Sequence, residues 1–318
     1  MFSMPCLVKS SMDNLVFTML IGLPAVGKSA VAQEIVRGSK NTICLSSDAL
    51  RKELFGDENV QDKNSIVFEE MHRRTIKALK DGYSVVYDAT NLSRKNRRHL
   101  LSCLPDSVLK VALIVWARYE TCIERDAERE RHVGKQVICR MLRHFQTPFY
   151  DEGFDQIAIR YTDALYTNDD YNDWMNCDHD NPHHNNSVSQ HTLQVCNNVF
   201  ETSYKYLQNE NYDSAFLATI VMFAAGLHDC GKKFTKSFTN AKGETTEIAH
   251  FYDHQNVGSY FALGFEKISS LTPRAILLIS WLVNVHMEPF FNSRYYHSLS
   301  PEYKSLVDLL HECDVKGA

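Results

Sequence analysis

The sequence predicts two joined folds: an α/β domain with helices on both faces of a parallel sheet, then an all-α domain. Three observations carry that expectation. Through about residue 160, short apolar runs alternate with helical patterns, the layout of a covered parallel sheet. From Tyr161 to Asn186 the chain becomes polar and rich in turn formers, as in Asn168-Asp-Asp-Tyr-Asn-Asp and Asp178-His-Asp-Asn-Pro. Beyond it, apolar residues recur at helical spacing and no strand-like alternation stands out.

The first apolar run, Leu15–Ile21, stops at Gly22, and Lys28–Arg37 follows with good helix formers, so the chain opens as strand, turn and helix. Thr42–Leu45, Ser84–Tyr87, Leu109–Trp116 and Gln156–Ile159 read as the remaining strands. Helical patterns separate them at Lys63–Lys80, Leu92–Cys103 and Tyr119–Glu130. The second half reads as helices at Ser189–Gln208, Asp213–Leu227, His254–Phe265, Pro273–His286 and Pro301–Glu312. The expected organisation is therefore one domain over 1–162, a linker over 163–180 and a second domain over 181–318.

A chain of 318 residues, 44% hydrophobic, can bury two cores of ordinary size. The apolar runs fall short of the ~20 residues of a membrane helix, and the start lacks a basic-then-apolar leader pattern. A cytoplasmic protein with no membrane partner is expected. The nine cysteines stand singly, without Cys-x-x-Cys, and read as reduced. Charge is divided unevenly: residues 1–160 hold 24 Lys and Arg against 20 Asp and Glu, whereas 161–318 hold 10 against 19. The first half suits a polyanion. Ten of the 14 histidines lie in the second half, where acid and imidazole together point to metal.

Gly22-x-x-x-x-Gly27-Lys28-Ser29 matches the phosphate-binding loop in full, between a strand and a helix. Its backbone N–H groups and the helix start would cradle a nucleotide's phosphates, with Lys28 on the β/γ oxygens and Ser29 on Mg²⁺. Gly22, Gly27, Lys28, Ser29 and Ala30 form the expected binding set for ATP or another nucleoside triphosphate. Asp48 follows the second strand, where it could take a proton from an acceptor hydroxyl, and Arg51 one turn on could hold an acceptor phosphate. Asp88 and Asn91 end the third strand at the same edge and are candidate substrate-binding residues. The basic run Arg94-Lys95-x-Arg97-Arg98-His99 reads as a solvated helix face. Arg125 and Arg129 are read one turn apart on a helix, suited to a lid over the transferring phosphoryl group.

Downstream, His191, His228-Asp229, His254, His286 and Asp314 are spaced by 37, 25, 32 and 28 residues on successive predicted helices. A bundle can aim them all at one point. The mixed nitrogen and oxygen set suits one or two divalent ions, Mn²⁺, Fe²⁺, Co²⁺, Ni²⁺ or Zn²⁺ rather than Ca²⁺.

Together these residues carry two resemblances. The loop, Ser46-Ser47-Asp48-x-x-Arg51, Asp88-Ala-Thr-Asn91, the Arg125/Arg129 pair and Thr147-Pro148-x-x-Asp-Glu152-Gly153-Phe154 make residues 15–162 resemble the polynucleotide 5′-hydroxyl kinases of phage and bacterial end healing. That resemblance implies Asp48 as general base, Arg51 on the acceptor phosphate, Arg129 on the donor phosphates with Arg125 in the lid, and an essential Asp88. Asn181-Pro182-x-His184, His191, His228-Asp229-Cys-Gly-Lys232 and Phe251-Tyr-x-His254-x-x-x-Gly258 resemble the HD phosphohydrolase superfamily. It implies His191, His228, Asp229 and Asp314 around one metal, His254 and His286 around a second, Mn²⁺ foremost, and Lys232 on substrate phosphate. His184 and His250 are further pocket candidates. Asp314 stands four residues from the last one, so the superfamily's closing helix is expected to be cut short, either because the chain is truncated or because this version is minimal.

The joint expectation is end healing of RNA or DNA, with a 5′-hydroxyl phosphorylated and a 2′,3′-cyclic or 2′/3′-phosphate removed. A separate ligase would act downstream. The alternative is a nucleotide or modified-base kinase fused to a nucleotidase or phosphodiesterase. A third reading is a binding module whose metal is structural.

Overall fold

Strands buried on both faces need continuous apolar sequence, and the runs at Leu15–Ile21, Ser84–Tyr87 and Leu109–Trp116 supply it, while the two runs at the sheet's edges stay largely half-buried. In the computed structural model, which describes residues 15–60, 62–180, 186–206 and 214–317, they become β1 (Val16–Ile21), β2 (Thr42–Ser46), β3 (Ser84–Asp88), β4 (Leu109–Trp116) and β5 (Gln156–Tyr161). All pair in parallel in the order β2-β3-β1-β4-β5, with Phe17 opposite Val85 and Ile21 opposite Ile114. Because every strand runs the same way, Gly22, Asp48 and Asp88 follow or end their strands at one edge. The flanking helices are α1 (Lys28–Arg37), α2 (Ser47–Phe55), α3 (Asn64–Lys80), α4 (Arg94–Ser102), α5 (Tyr119–Ala127) and α6 (Lys135–Arg143).

Helix α6 has no counterpart among the helices expected from the sequence, and two details of the expected elements also differ. Helix α5 stops at Ala127, so Arg129 and Arg131 lie in the turn beyond it and not on the helix. The cause is Asp126, whose buried carboxylate accepts the Val133 N–H at 3.0 Å and the Gly134 N–H at 2.9 Å and folds the chain back. The basic run is not a solvated face throughout. Arg97 is 1% exposed and forks onto Glu152 at 2.6 and 2.7 Å, while Arg94 is buried against Asn284 and the ring of Tyr295.

The stretch read as a linker contains α7 (Asn168–Met175), capped by the Thr167 side chain, and buries Tyr166 and Trp174. Helices α8 (Val188–Tyr206), α9 (Ser214–Leu227), α10 (Lys232–Thr235), α11 (His254–Leu263), α12 (Pro273–Val285), α13 (Arg294–Ser298) and α14 (Pro301–Gly317) follow. Asn181, Pro182 and His184 lie outside the described residues. The second half is helical but not all-α, because β6 (Ser237–Thr239) and β7 (Thr245–His250) form an antiparallel hairpin. Most of the hairpin is exposed or half-exposed, so no apolar alternation marked it. Among the described residues, Ser214–Thr235 is the one stretch long and apolar enough to cross a membrane by length and composition, and 56% of its apolar window is buried inside the fold.

One apolar core runs through both halves. Trp116, at the end of β4, is fully buried, donates its indole N–H to the Tyr260 carbonyl at 3.0 Å and stacks on the Tyr260 ring. The Tyr260 hydroxyl returns a bond to the Ala117 carbonyl at 2.7 Å. A Cβ on Gly264 would lie 1.8 Å from the Trp116 ring, so only glycine allows this approach.

Candidate functional site

The phosphate loop is shaped by contacts that leave no room for larger residues. A Cβ on Gly22 would fall 2.3 Å from the Val115 carbonyl oxygen, and Gly27 caps α1 at φ 96°. The Lys28 ammonium turns into the loop and donates to the Gly22 and Leu23 carbonyls at 3.0 and 2.6 Å. Desolvation there lowers it to about 8, against the attraction of Asp88 and with Arg129 lowering it further. Arg129, exposed at the surface, thus acts electrically on the loop. The Ser29 hydroxyl donates to Asp88 Oδ2 at 3.0 Å, and burial raises the Asp88 carboxyl above its usual range despite Lys28. A hydroxyl and a carboxylate so placed fit a hard cation such as Mg²⁺, which prefers oxygen ligands. Ala30 sits exposed in the first turn of α1.

Across the same edge, Asp48 begins α2 with its side chain about half exposed. Its Oδ1 accepts from Arg51 Nη1 at 2.7 Å, and the other arm of Arg51 reaches Asn64 Oδ1 at 2.7 Å. Its Oδ2 pairs with Arg131 Nη1 at 3.0 Å. Sequence reasoning assigned Arg131 no role, since nothing in the local pattern ties a turn after α5 to the start of α2. Arg125 donates to the Thr162 carbonyl at 2.8 Å and so braces the end of β5. Asn91 is not presented as a substrate group in this structure. It has φ 49°, and its amide donates to the Leu20 carbonyl at 2.7 Å, pinning the end of β1.

The second cluster assembles from α8, α11, the ends of α9 and α12, and α14. His191 Nε2 lies 2.9 Å from Asp314 Oδ1 and 3.3 Å from His228 Nε2. His254 Nε2 lies 3.2 Å from His286 Nε2 and 3.3 Å from Asp229 Oδ1. All four imidazoles are buried, and each Nδ1 meets a backbone carbonyl, of Gly317, Ala225, Phe251 and Val283 in turn. That arrangement turns every Nε2 inward, where it can offer a lone pair to a metal ion once unprotonated, as ligating histidines require. Two groups able to hold an ion result, His191-His228-Asp229 and Asp229-His254-His286, and Asp229 belongs to both.

The field inside is strong. Burial alone would lower His228, but Asp229 and Asp314 outweigh it and push it up to about 10. Burial opposes the charge on Asp229, yet His228 and Lys232 hold its carboxyl well below the usual range. Burial, with His254 and His228 alongside, pushes His286 down to about 3. Such a set fits divalent transition ions, which would replace the protons that balance the carboxylates. Lys232 Nζ lies 2.7 Å from Asp229 Oδ2 and 3.0 Å from His179 Nε2. His179, 2% exposed, was not singled out, because its neighbourhood in sequence is polar turn rather than helix. His250 lies instead on the hairpin, stacked on Tyr252.

Residues 17–148 match the family model described as AAA domain, and the parallel sheet with its flanking helices gives the first half a P-loop, kinase-like α/β fold. The L-seryl-tRNA(Sec) kinase of Methanococcus maripaludis is 28% identical over 170 residues, 49% of this chain and 62% of that protein. Transcription factor bHLH140 of Arabidopsis thaliana is 24% identical over 159 residues, 47% of this chain and 16% of that protein. The chain therefore spans less than two thirds of either relative's length. A solved structure of the Pnkp1/Rnl/Hen1 RNA repair complex aligns at 18% identity over 43% of this chain and 45% of that one, with a TM-score of 0.39.

Proposed function

We propose that the chain heals broken nucleic-acid ends, phosphorylating a 5′-hydroxyl at the sheet edge and removing a 2′,3′-cyclic or terminal phosphate at the helical cluster. The observation that supports this best is the sharing of Asp229 between two buried ligand groups, in the same folded body as a phosphate loop whose Lys28 feels the charge of Asp48. In the kinase reaction Asp48 orients the acceptor hydroxyl and takes its proton. The freed oxygen bonds to the γ-phosphorus of ATP as the bond to the β-bridging oxygen breaks, and ADP leaves. Lys28 and Arg129 hold the donor phosphates against that charge, and Ser29 with Asp88 would hold Mg²⁺.

In the second site His191, His228, Asp229, His254, His286 and Asp314 would hold one or two ions, Mn²⁺ foremost. Such ions supply Lewis acidity toward a phosphoester. Lys232, fixed by Asp229 and His179, offers its ammonium to the substrate phosphate. A separate ligase would then join the two healed ends.

An oligoribonucleotide with a 5′-hydroxyl and a 2′,3′-cyclic phosphate, incubated with ATP, Mg²⁺ and Mn²⁺, tests this at both termini. Asp48→Ala should stop only 5′ phosphorylation and Asp229→Ala only 3′ dephosphorylation. Loss of both from either change in folded protein, or two unaltered ends with the wild type, would sink the proposal. The archaeal relative, an L-seryl-tRNA(Sec) kinase, favours one second reading, a hydroxyl carried on an aminoacylated tRNA. Direct comparison of a 5′-hydroxyl oligonucleotide with a seryl-tRNA as acceptor separates the two, and salt tells either from a free-nucleotide or modified-base acceptor, since affinity through several phosphates falls steeply with ionic strength.

A further inference from the structure

Arg131 has no part in the reaction just described, yet it occupies the acceptor side of the kinase site. Its Nη1 closes on Asp48 Oδ2 at 3.0 Å, its Nε donates to Asn59 Oδ1 at 2.9 Å, and its Nη2 donates to the Glu58 carbonyl at 3.0 Å. The Glu58 carboxylate stands 3.6 Å away. Arg51 already holds Asp48 Oδ1, so an arriving hydroxyl finds both oxygens of Asp48 bound by guanidiniums. The two arginines differ in freedom. The Arg51 side chain is 7% exposed with both arms engaged, whereas that of Arg131 is 25% exposed on the turn that follows α5. Two of its partners are a neutral amide and a backbone carbonyl, both weaker matches for a guanidinium than a phosphate.

We propose that Arg131 is a gate on Asp48 that the acceptor's own phosphate opens. A phosphate beside the acceptor hydroxyl draws the Arg131 guanidinium away from Asp48, which frees Oδ2 to receive the hydroxyl. Until then both oxygens of Asp48 are engaged by guanidiniums and take no proton from water, so ATP in the loop is protected from hydrolysis. The inference rests on the end-phosphorylating reading and adds to it the residue that selects hydroxyls flanked by phosphate.

The test measures transfer to a 5′-hydroxyl oligonucleotide, and ATP hydrolysis without acceptor, in the full chain. Arg131→Met should lower kcat/KM for the oligonucleotide about 30-fold, the size of a lost charge-assisted contact, mainly through KM. It should raise acceptor-free hydrolysis about tenfold, a gain that mere loosening of the fold does not produce. Arg131→Lys, which keeps the charge on Asp48, should return hydrolysis to the wild-type level. Asn59→Ala removes a competing partner and should improve KM for the oligonucleotide. Hydrolysis unmoved in Arg131→Met, with a wild type active on the oligonucleotide, overturns the gate alone. A wild type that phosphorylates no 5′-hydroxyl end overturns the reading of the site, and the gate with it.

Discussion

Lys28 shows how one side chain's surroundings set its chemistry. Held against two carbonyls in a desolvated loop, it sits near 8 where an ordinary lysine sits at 10.5. Binding of nucleotide phosphate needs the ammonium. The kinase kcat/KM for ATP should therefore fall as pH rises through about 8, by about tenfold per unit beyond it. A profile flat to pH 10 would refute this. Linkage runs the other way: between 8 and 10.5 the folded state binds fewer protons than the unfolded, so the penalty of burying Lys28 is relieved as pH rises across that window. Arg97 and Glu152 make a second residue-level case, since both side chains are fully enclosed. Replacing Glu152 with Gln leaves a buried guanidinium without its counter-charge and should cost about 3–5 kcal/mol in denaturant unfolding.

At the scale of elements, the ligand geometry depends on how closely α10 and α11 approach. A Cβ on Gly231 would fall 2.1 Å from the His254 carbonyl oxygen and 2.8 Å from the Gly258 nitrogen, so the turn before α10 lies directly on α11. Gly231→Ala should push the first turn of α11, and His254 with it, away from Asp229. Divalent-ion affinity measured by titration calorimetry should drop roughly 10- to 100-fold, as for other displaced ligand supports, while 5′ phosphorylation persists. An unchanged affinity would show that His254 is placed from elsewhere. The elements that the chain's patterning missed are short: α6, α7, α10, α13 and the β6–β7 hairpin, together with the early end of α5. Helix α6 buries Ile138 and Leu142 on one face but runs for only 9 residues, and α7 and the end of α5 are set by the Thr167 and Asp126 side chains rather than by an apolar stripe.

At the scale of the molecule, the two halves share one core. Trp116, Tyr166 and Tyr260 pack at its centre, Phe149 stacks on Trp281 at 4.6 Å, and Thr147 bonds to Ser280 at 2.8 Å. Calorimetry should show a single cooperative transition, and two resolved peaks would contradict a common core. Gly264→Ala, pressed against the Trp116 ring, should lower that transition by about 1–3 kcal/mol of stability and impair both activities together.

The sequence by itself determined the strand order of appearance, the phosphate loop, Asp48 and the six-residue His/Asp series. These are written in adjacent residues or in repeated residue types, which local spacing is able to express. Only the tertiary structure decided that Arg131 closes on Asp48, that His179 holds Lys232, that Arg94 and Arg97 are buried, and that Asp229 joins both ligand groups. Each of those pairs residues from separate elements, and such contacts follow from which groups chain closure and burial leave facing one another. No periodicity along the chain encodes that choice.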